Sequence, residues 1–161
     1  MDPMQLTAQQ DFAAGPDEVA AMLTDRAFLE KVCVASEAIK HSVAVEGTHT
    51  TVSRTLKAPS AASKFTGETI TIVEDLRWST AAQDGSRTAS LNLTVPGLPV
   101  EMTGTVRLAA GGRGTRVDYA GDLRVNIPFV GKKLEQSAAP AVLDGITLQQ
   151  SVGDDWLAHR A

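Results

Sequence analysis

Residues 4–12 alternate: Met4, Leu6, Ala8, Gln10 and Phe12 share one parity, and Gln5, Thr7, Gln9 and Asp11 the other. That period of two predicts a half-buried first strand. The AAGP turn follows, with Pro16 suited to a first helical position and Asp17 and Glu18 in a first turn, where they favour the helix dipole. Val19, Met22 and Leu23 line one face of this short helix. A second helical stretch, 26–35, carries Phe28, Leu29, Val32 and Cys33.

Six further strands are expected. Residues 36–46 alternate through Ile39, His41, Val43 and Val45, and EGTH turns the chain into 48–57, where Thr50, Val52, Arg54 and Leu56 share a face. The segment 58–67 reads as a loop, with Pro59 and Gly67 as breakers. Residues 68–79 place Ile70, Ile72, Glu74, Leu76 and Trp78 together. After QDGS come Ala89, Leu91, Leu93 and Val95; after PGLP, Val100, Met102, Gly104, Val106 and Leu108. GGRG then leads to 115–127, with Val117, Tyr119, Gly121, Leu123, Val125 and Ile127 inward. Polar outer faces rich in Thr, Ser, Arg and Asp fit an antiparallel sheet solvated on one side, and the strand spacing fits a meander.

The tail, from about residue 128 to 161, has helical periodicity: Val130, Leu134, Ala138, Ala141, Gly145, Leu148, Val152 and Trp156 recur at three- and four-residue steps. Pro140 should kink the helix or split it in two. A lone sheet must bury its apolar face, and only this tail is large enough to cover it. The expected α+β architecture is a curved antiparallel seven-stranded sheet around a long C-terminal helix, with a short helical pair after strand 1. Residues 1–161 form a single domain.

Composition narrows the function. Aromatic residues are 4% of the chain and hydrophobic residues 43%, so the interior must be aliphatic. A net charge of -4 and few stacking rings argue against a nucleic-acid surface. The single Cys33 excludes an internal disulfide and a cysteine-built metal site, and its apolar setting makes it core. The segment MDPMQLTAQQ shows no signal peptide, and no run approaches the roughly 20 apolar residues of a membrane span. Cytoplasmic residence without integral membrane contact is the expectation. Neither a phosphate loop nor GxSxG occurs, and His41, His49 and His159 are not spaced as helical metal ligands.

Five polar residues share parity with inward apolar neighbours: Gln10, His41, Arg54, Glu74 and Tyr119. Arg54 and Glu74 lie on neighbouring strands, and pairing would offset the cost of burying either alone. Together they would make a polar anchor in an apolar cavity or a structural pair. Trp78 and Trp156 read as core, with Trp156 closing the end of the helix.

The segments FTGETITIVEDLRW, PGLPVEMTGTVRL and DLRVNIPFVGKKLE, within this element order, resemble the START-like (SRPBCC, helix-grip) superfamily, and more closely an uncharacterised bacterial branch of it. The resemblance covers nearly the whole chain. It implies a deep cavity between sheet and C-terminal helix, which relatives use for lipids, sterols, polyketides or hormones; some are aromatase/cyclases and a few are chaperone activators. The function expected first is binding of a hydrophobic small molecule, lipid-like or polyketide-like, as carrier or sensor. The candidate ligand-binding residues are His41, Arg54, Glu74, Trp78 and Tyr119. No catalytic residue, metal ligand or cofactor is assigned. A polyketide cyclase or hydrolase-type enzyme is the second reading, and needs two of His41, Arg54, Glu74 and Tyr119 within hydrogen-bond reach. A protein-interaction module with a filled core is the third. The oligomeric state is left open.

Overall fold

The chain begins with the alternating strand β1 (Met4–Phe12), in a computed structural model that describes residues 3–60 and 63–160. Helices α1 (Pro16–Leu23) and α2 (Arg26–Ala35) follow, then β2 (Lys40–Glu46), β3 (His49–Lys57), a single helical turn α3 (Ser63–Thr66), β4 (Thr69–Trp78), β5 (Arg87–Thr94), β6 (Val100–Gly111), β7 (Gly114–Val125) and α4 (Gly131–Ala158). Asp25 caps α2, its carboxylate accepting from the backbone N–H groups of Ala27 (2.8 Å) and Phe28 (3.3 Å). The segment 58–67, expected as loop, carries the α3 turn; residues 61 and 62 of it lie outside the described residues. Strand β2 starts at Lys40, later than expected, because Glu37 takes a left-handed conformation (φ 61) and turns the chain out of α2. Ile39, expected within the strand, is 65% exposed.

The seven strands form one antiparallel sheet in the order β1-β7-β6-β5-β4-β3-β2. Strands β2 to β7 are a meander, and β1 pairs with β7 along its whole length, from Met4 opposite Leu123 to Phe12 opposite Thr115. Gly104 faces Gly121 across β6 and β7. A Cβ at Gly104 would stand 2.0 Å from the carbonyl oxygen of Ala120, so the close approach there requires glycine.

Helix α4 crosses the inner face of the sheet and rests on β1, β7 and α2. It is continuous through Pro140, against the expectation of two parts. The exposed proline removes one backbone donor, and packing of the two flanking turns holds the helix together. At the N-terminal end, Leu134, Glu135 and Ala139 are buried, and Glu135 Oε2 accepts from the Val125 N–H at 2.9 Å. At the C-terminal end, Gly153 and Leu157 are buried, and a Cβ at Gly153 would stand 2.5 Å from Phe12 Cε1 and 3.1 Å from Met22 Cε. Trp156 meets Phe28 edge to face, ring centroids 5.6 Å apart, and so closes this end against α2.

The buried stripe runs through Gly131, Glu135, Ala139, Val142, Ile146, Gln149, Gly153 and Leu157, with the central three half-buried. It is displaced from the expected stripe: Ala141, expected inward, is exposed.

Two glycines of α4 give opposite outcomes. Gly153→Ala should lower stability by about 1–3 kcal/mol, because the added methyl overlaps the buried Phe12 ring. At Gly145 the nearest atom to an added Cβ is Arg54 Nη2 at 3.9 Å, so Gly145→Ala should raise stability by about 0.5–1 kcal/mol through helix propensity. Urea unfolding of both variants measures this; a loss at both positions would mean that α4 is packed as tightly at its centre as at its ends.

Candidate functional site

The inner face of the sheet is filled unevenly. On β5, β6 and β7 the inward side chains Ala89, Leu91, Leu93, Met102, Val106, Leu108, Val117 and Leu123 are buried. On β3 and β4 the inward residues Val52, Arg54, Leu56, Ile70, Ile72, Glu74 and Leu76 are all only half-buried. Opposite them, Val142, Gly145 and Ile146 at the centre of α4 are half-buried as well. Val52, Ile72, Leu76, Val142 and Ile146 pack against the core and still keep accessible surface, so this part of the sheet is incompletely covered by the helix. That incompletely covered region is the candidate site.

A recess of 290 Å³ is lined by Phe65 and Thr66 of α3, Thr69–Thr71 of β4, and Val95–Leu98 between β5 and β6. Ile70 belongs to this recess and also begins the inward row Ile70, Ile72, Glu74, Leu76 and Trp78. A larger recess of 620 Å³, lined by Lys31, Asp155, Trp156, His159 and Arg160, lies on the outer surface where α4 ends beside α2.

Arg54 and Glu74 come into the candidate site from β3 and β4. Val52 is opposite Glu74 and Ile72 opposite Arg54, which makes the two charged residues diagonal neighbours. Among the described residues no ion pair within 4.0 Å joins them, and neither side chain makes a hydrogen bond. They are still within electrostatic reach. Burial pushes the Glu74 carboxyl above its ordinary value, and the Arg54 guanidinium opposes that push. Glu74 itself is half-buried. Burial likewise raises the Cys33 thiol, with Arg54 opposing, so the guanidinium also lies near α2.

Tyr119 is buried and fully engaged. Its hydroxyl donates to Gln10 Oε1 at 3.0 Å and accepts from Gln149 Nε2 at 3.1 Å, while Gln10 Nε2 donates to the Ile146 carbonyl at 2.9 Å. Burial first, and then the nearby Glu74 carboxylate, push the hydroxyl well above its ordinary value. The cluster therefore ties β1, β7 and α4 together beside Glu74. Gln149 has no counterpart in the sequence reading: the stripe drawn through Leu148 placed it off the buried face. The signal available was the alternative stripe one residue on, through Ile146, Gln149 and Gly153.

His41 sits opposite Arg54 in register but is exposed, on the edge strand β2. Its parity is inward, yet the helix layer does not cover it there. Trp78 is buried at the far end of the β4 row, and its indole Nε1 has no hydrogen-bond partner. No two of His41, Arg54, Glu74 and Tyr119 hydrogen-bond to each other among the described residues. None of the His, Cys, Asp and Glu residues described form a group of three suited to a metal ion. On the outer face, His49 Nε2 lies 2.8 Å from Asp75 Oδ2, with Arg77 Nε 3.6 Å from Asp75 Oδ1. These residues have the opposite parity to Glu74 and do not reach the interior.

A carboxyl whose folded pKa exceeds 4.5 holds its proton more tightly in the native state than in the unfolded one. Stability from Glu74 is therefore complete below that value and is lost as pH rises through the folded pKa. Glu74→Gln should accordingly melt higher than the parent at about pH 8, and the advantage should vanish at about pH 4. A variant that melts lower at the higher pH would show that Glu74 is held as an ion pair.

Comparison with known proteins places this geometry. A protein from Thermus thermophilus shares 18% identity over 98% of this chain and 100% of its own, with a TM-score of 0.66. A Rhodobacter sphaeroides protein shares 21% identity over 98% of this chain and 93% of its own, with a TM-score of 0.62. The major latex-like protein 151 of Panax ginseng shares 12% identity over 97% and 98%, with a TM-score of 0.59. These likenesses establish the helix-grip fold. No curated protein matches the chain. The family described as "Protein of unknown function (DUF2505)" matches residues 7–157, nearly the entire length, and the chain belongs to that family.

Proposed function

We propose that this protein binds a hydrophobic small molecule, lipid-like or polyketide-like, between the centre of α4 and the inner face of β3 and β4, as a carrier or sensor. One observation carries the reading: Val52, Leu56, Ile70, Ile72 and Leu76 on the inner face of the sheet, and Val142 and Ile146 on α4, are each only half-buried. A guest covering them would gain about 25 cal/mol for each Å² of apolar surface removed from water, before the cost of association. Aliphatic walls favour flexible chains or saturated rings over stacked planar systems. The recess that includes Ile70 is the proposed entry, and Phe65, 40% exposed, borders it.

N-phenyl-1-naphthylamine, which fluoresces in apolar surroundings, reports on such a space. The parent protein should enhance its emission saturably. Gly145→Phe, which puts a ring into the open region beside Arg54, should abolish the enhancement and keep the melting transition cooperative. Equal enhancement in the two proteins would place the dye elsewhere, and no enhancement in either would remove the case for a host.

A further inference from the structure

We propose that the guest is a monocarboxylate amphiphile, an aliphatic chain bearing one carboxylate, with its head on Arg54 beside Glu74. The inference rests on the reading of the interior space as a ligand cavity and names the chemistry that the cavity selects. Arg54 carries five N–H donors, and among the described residues it makes neither a hydrogen bond nor an ion pair. Its position is not that of a solvated surface arginine. The side chain is half-buried between Val52 and Leu56 on its own face, with Ile72 opposite in register, and Nη2 lies against the Gly145 turn of α4. A half-buried guanidinium gains from a directly bonded anion, and among the described residues none lies within 4.0 Å, Glu74 acting on it only at longer range. The planar fork matches a carboxylate through two parallel N–H···O bonds.

Glu74 decides between anions. It flanks the same opening with no hydrogen-bond partner of its own. It lies diagonal to Arg54 across β3 and β4, so its carboxyl group would repel a dianionic phosphate head more strongly than a singly charged carboxylate. The remaining walls, Ile72, Leu76, Val142 and Ile146, are aliphatic and suit an unbranched chain. The Tyr119, Gln10 and Gln149 cluster is already satisfied internally, so it needs nothing from the guest.

Calorimetric titration of the full chain with decanoate, 1-decanol, methyl decanoate and decyl phosphate at neutral pH tests the assignment. Decanoate should bind at least about tenfold more tightly than decanol or the ester, as expected for a charge-assisted bidentate contact. Arg54→Met should erase that preference and leave decanol affinity within about twofold. The parent protein alone is decisive if the variant does not fold. Equal affinity for acid, alcohol and ester would overturn the anionic head while the cavity stands, and tighter binding of decyl phosphate would overturn the carboxylate. If no decyl compound binds while N-phenyl-1-naphthylamine still does, the guest class is wrong. If the dye also fails, the cavity reading itself is lost.

Discussion

Helix α4 is fastened to the sheet at its two ends. At one, the Glu135 carboxylate takes the N–H of Val125 as β7 ends, and Gly131 packs so closely that a Cβ there would stand 2.3 Å from the Val125 carbonyl oxygen. At the other, Gly153 admits the Phe12 ring and Met22 against the helix backbone. A rigid rod held at both ends cannot sag into the middle of a curved sheet. Between these ends the hydrogen bonds of Tyr119, Gln10 and Gln149 hold its centre over β1 and β7, and the inward residues of β3 and β4 are left only half-buried to one side.

The polar residues of the interior divide accordingly. On the filled side, where α4 rests on β1 and β7, Tyr119, Gln10 and Gln149 satisfy one another and the Ile146 carbonyl. Buried polar groups that complete their own hydrogen bonds stabilise and orient a core. On the half-buried side Arg54 and Glu74 have no such partners among the described residues. Apolar residues of similar size would serve folding at least as well at these two positions.

Much of this was readable in the residues, and the failures have physical causes. Strand alternation is a local property of the pleat, so β1 was legible residue by residue, and the inward rows of β3 to β7 followed from parity alone. Parity does not say where a strand lies in the sheet. His41 has the inward parity of Val43 on the same edge strand, yet Val43 is buried and His41 exposed, because cover over that strand is only partial. The face of α4 was misjudged for another reason. Its buried stripe includes Gly131, Glu135, Gln149 and Gly153, which hydrophobic periodicity cannot register, while exposed Ala141 mimics a core position. Pro140 misled as well: the expected break, about 3 kcal/mol of local cost, is outweighed by packing on either side. Arg54 and Glu74 were legible as inward; that they would approach without pairing depends on the sheet's curvature and on side-chain reach, which no linear pattern encodes.

The claim that α4 bridges unfilled space is tested most directly by a crystal structure of the protein under xenon pressure, since dry apolar cavities take up xenon. The account predicts density from xenon, or from a co-purified guest, among Ile72, Leu76, Val142 and Ile146. Side chains in van der Waals contact across that position, with neither xenon nor guest between helix and sheet, would contradict it.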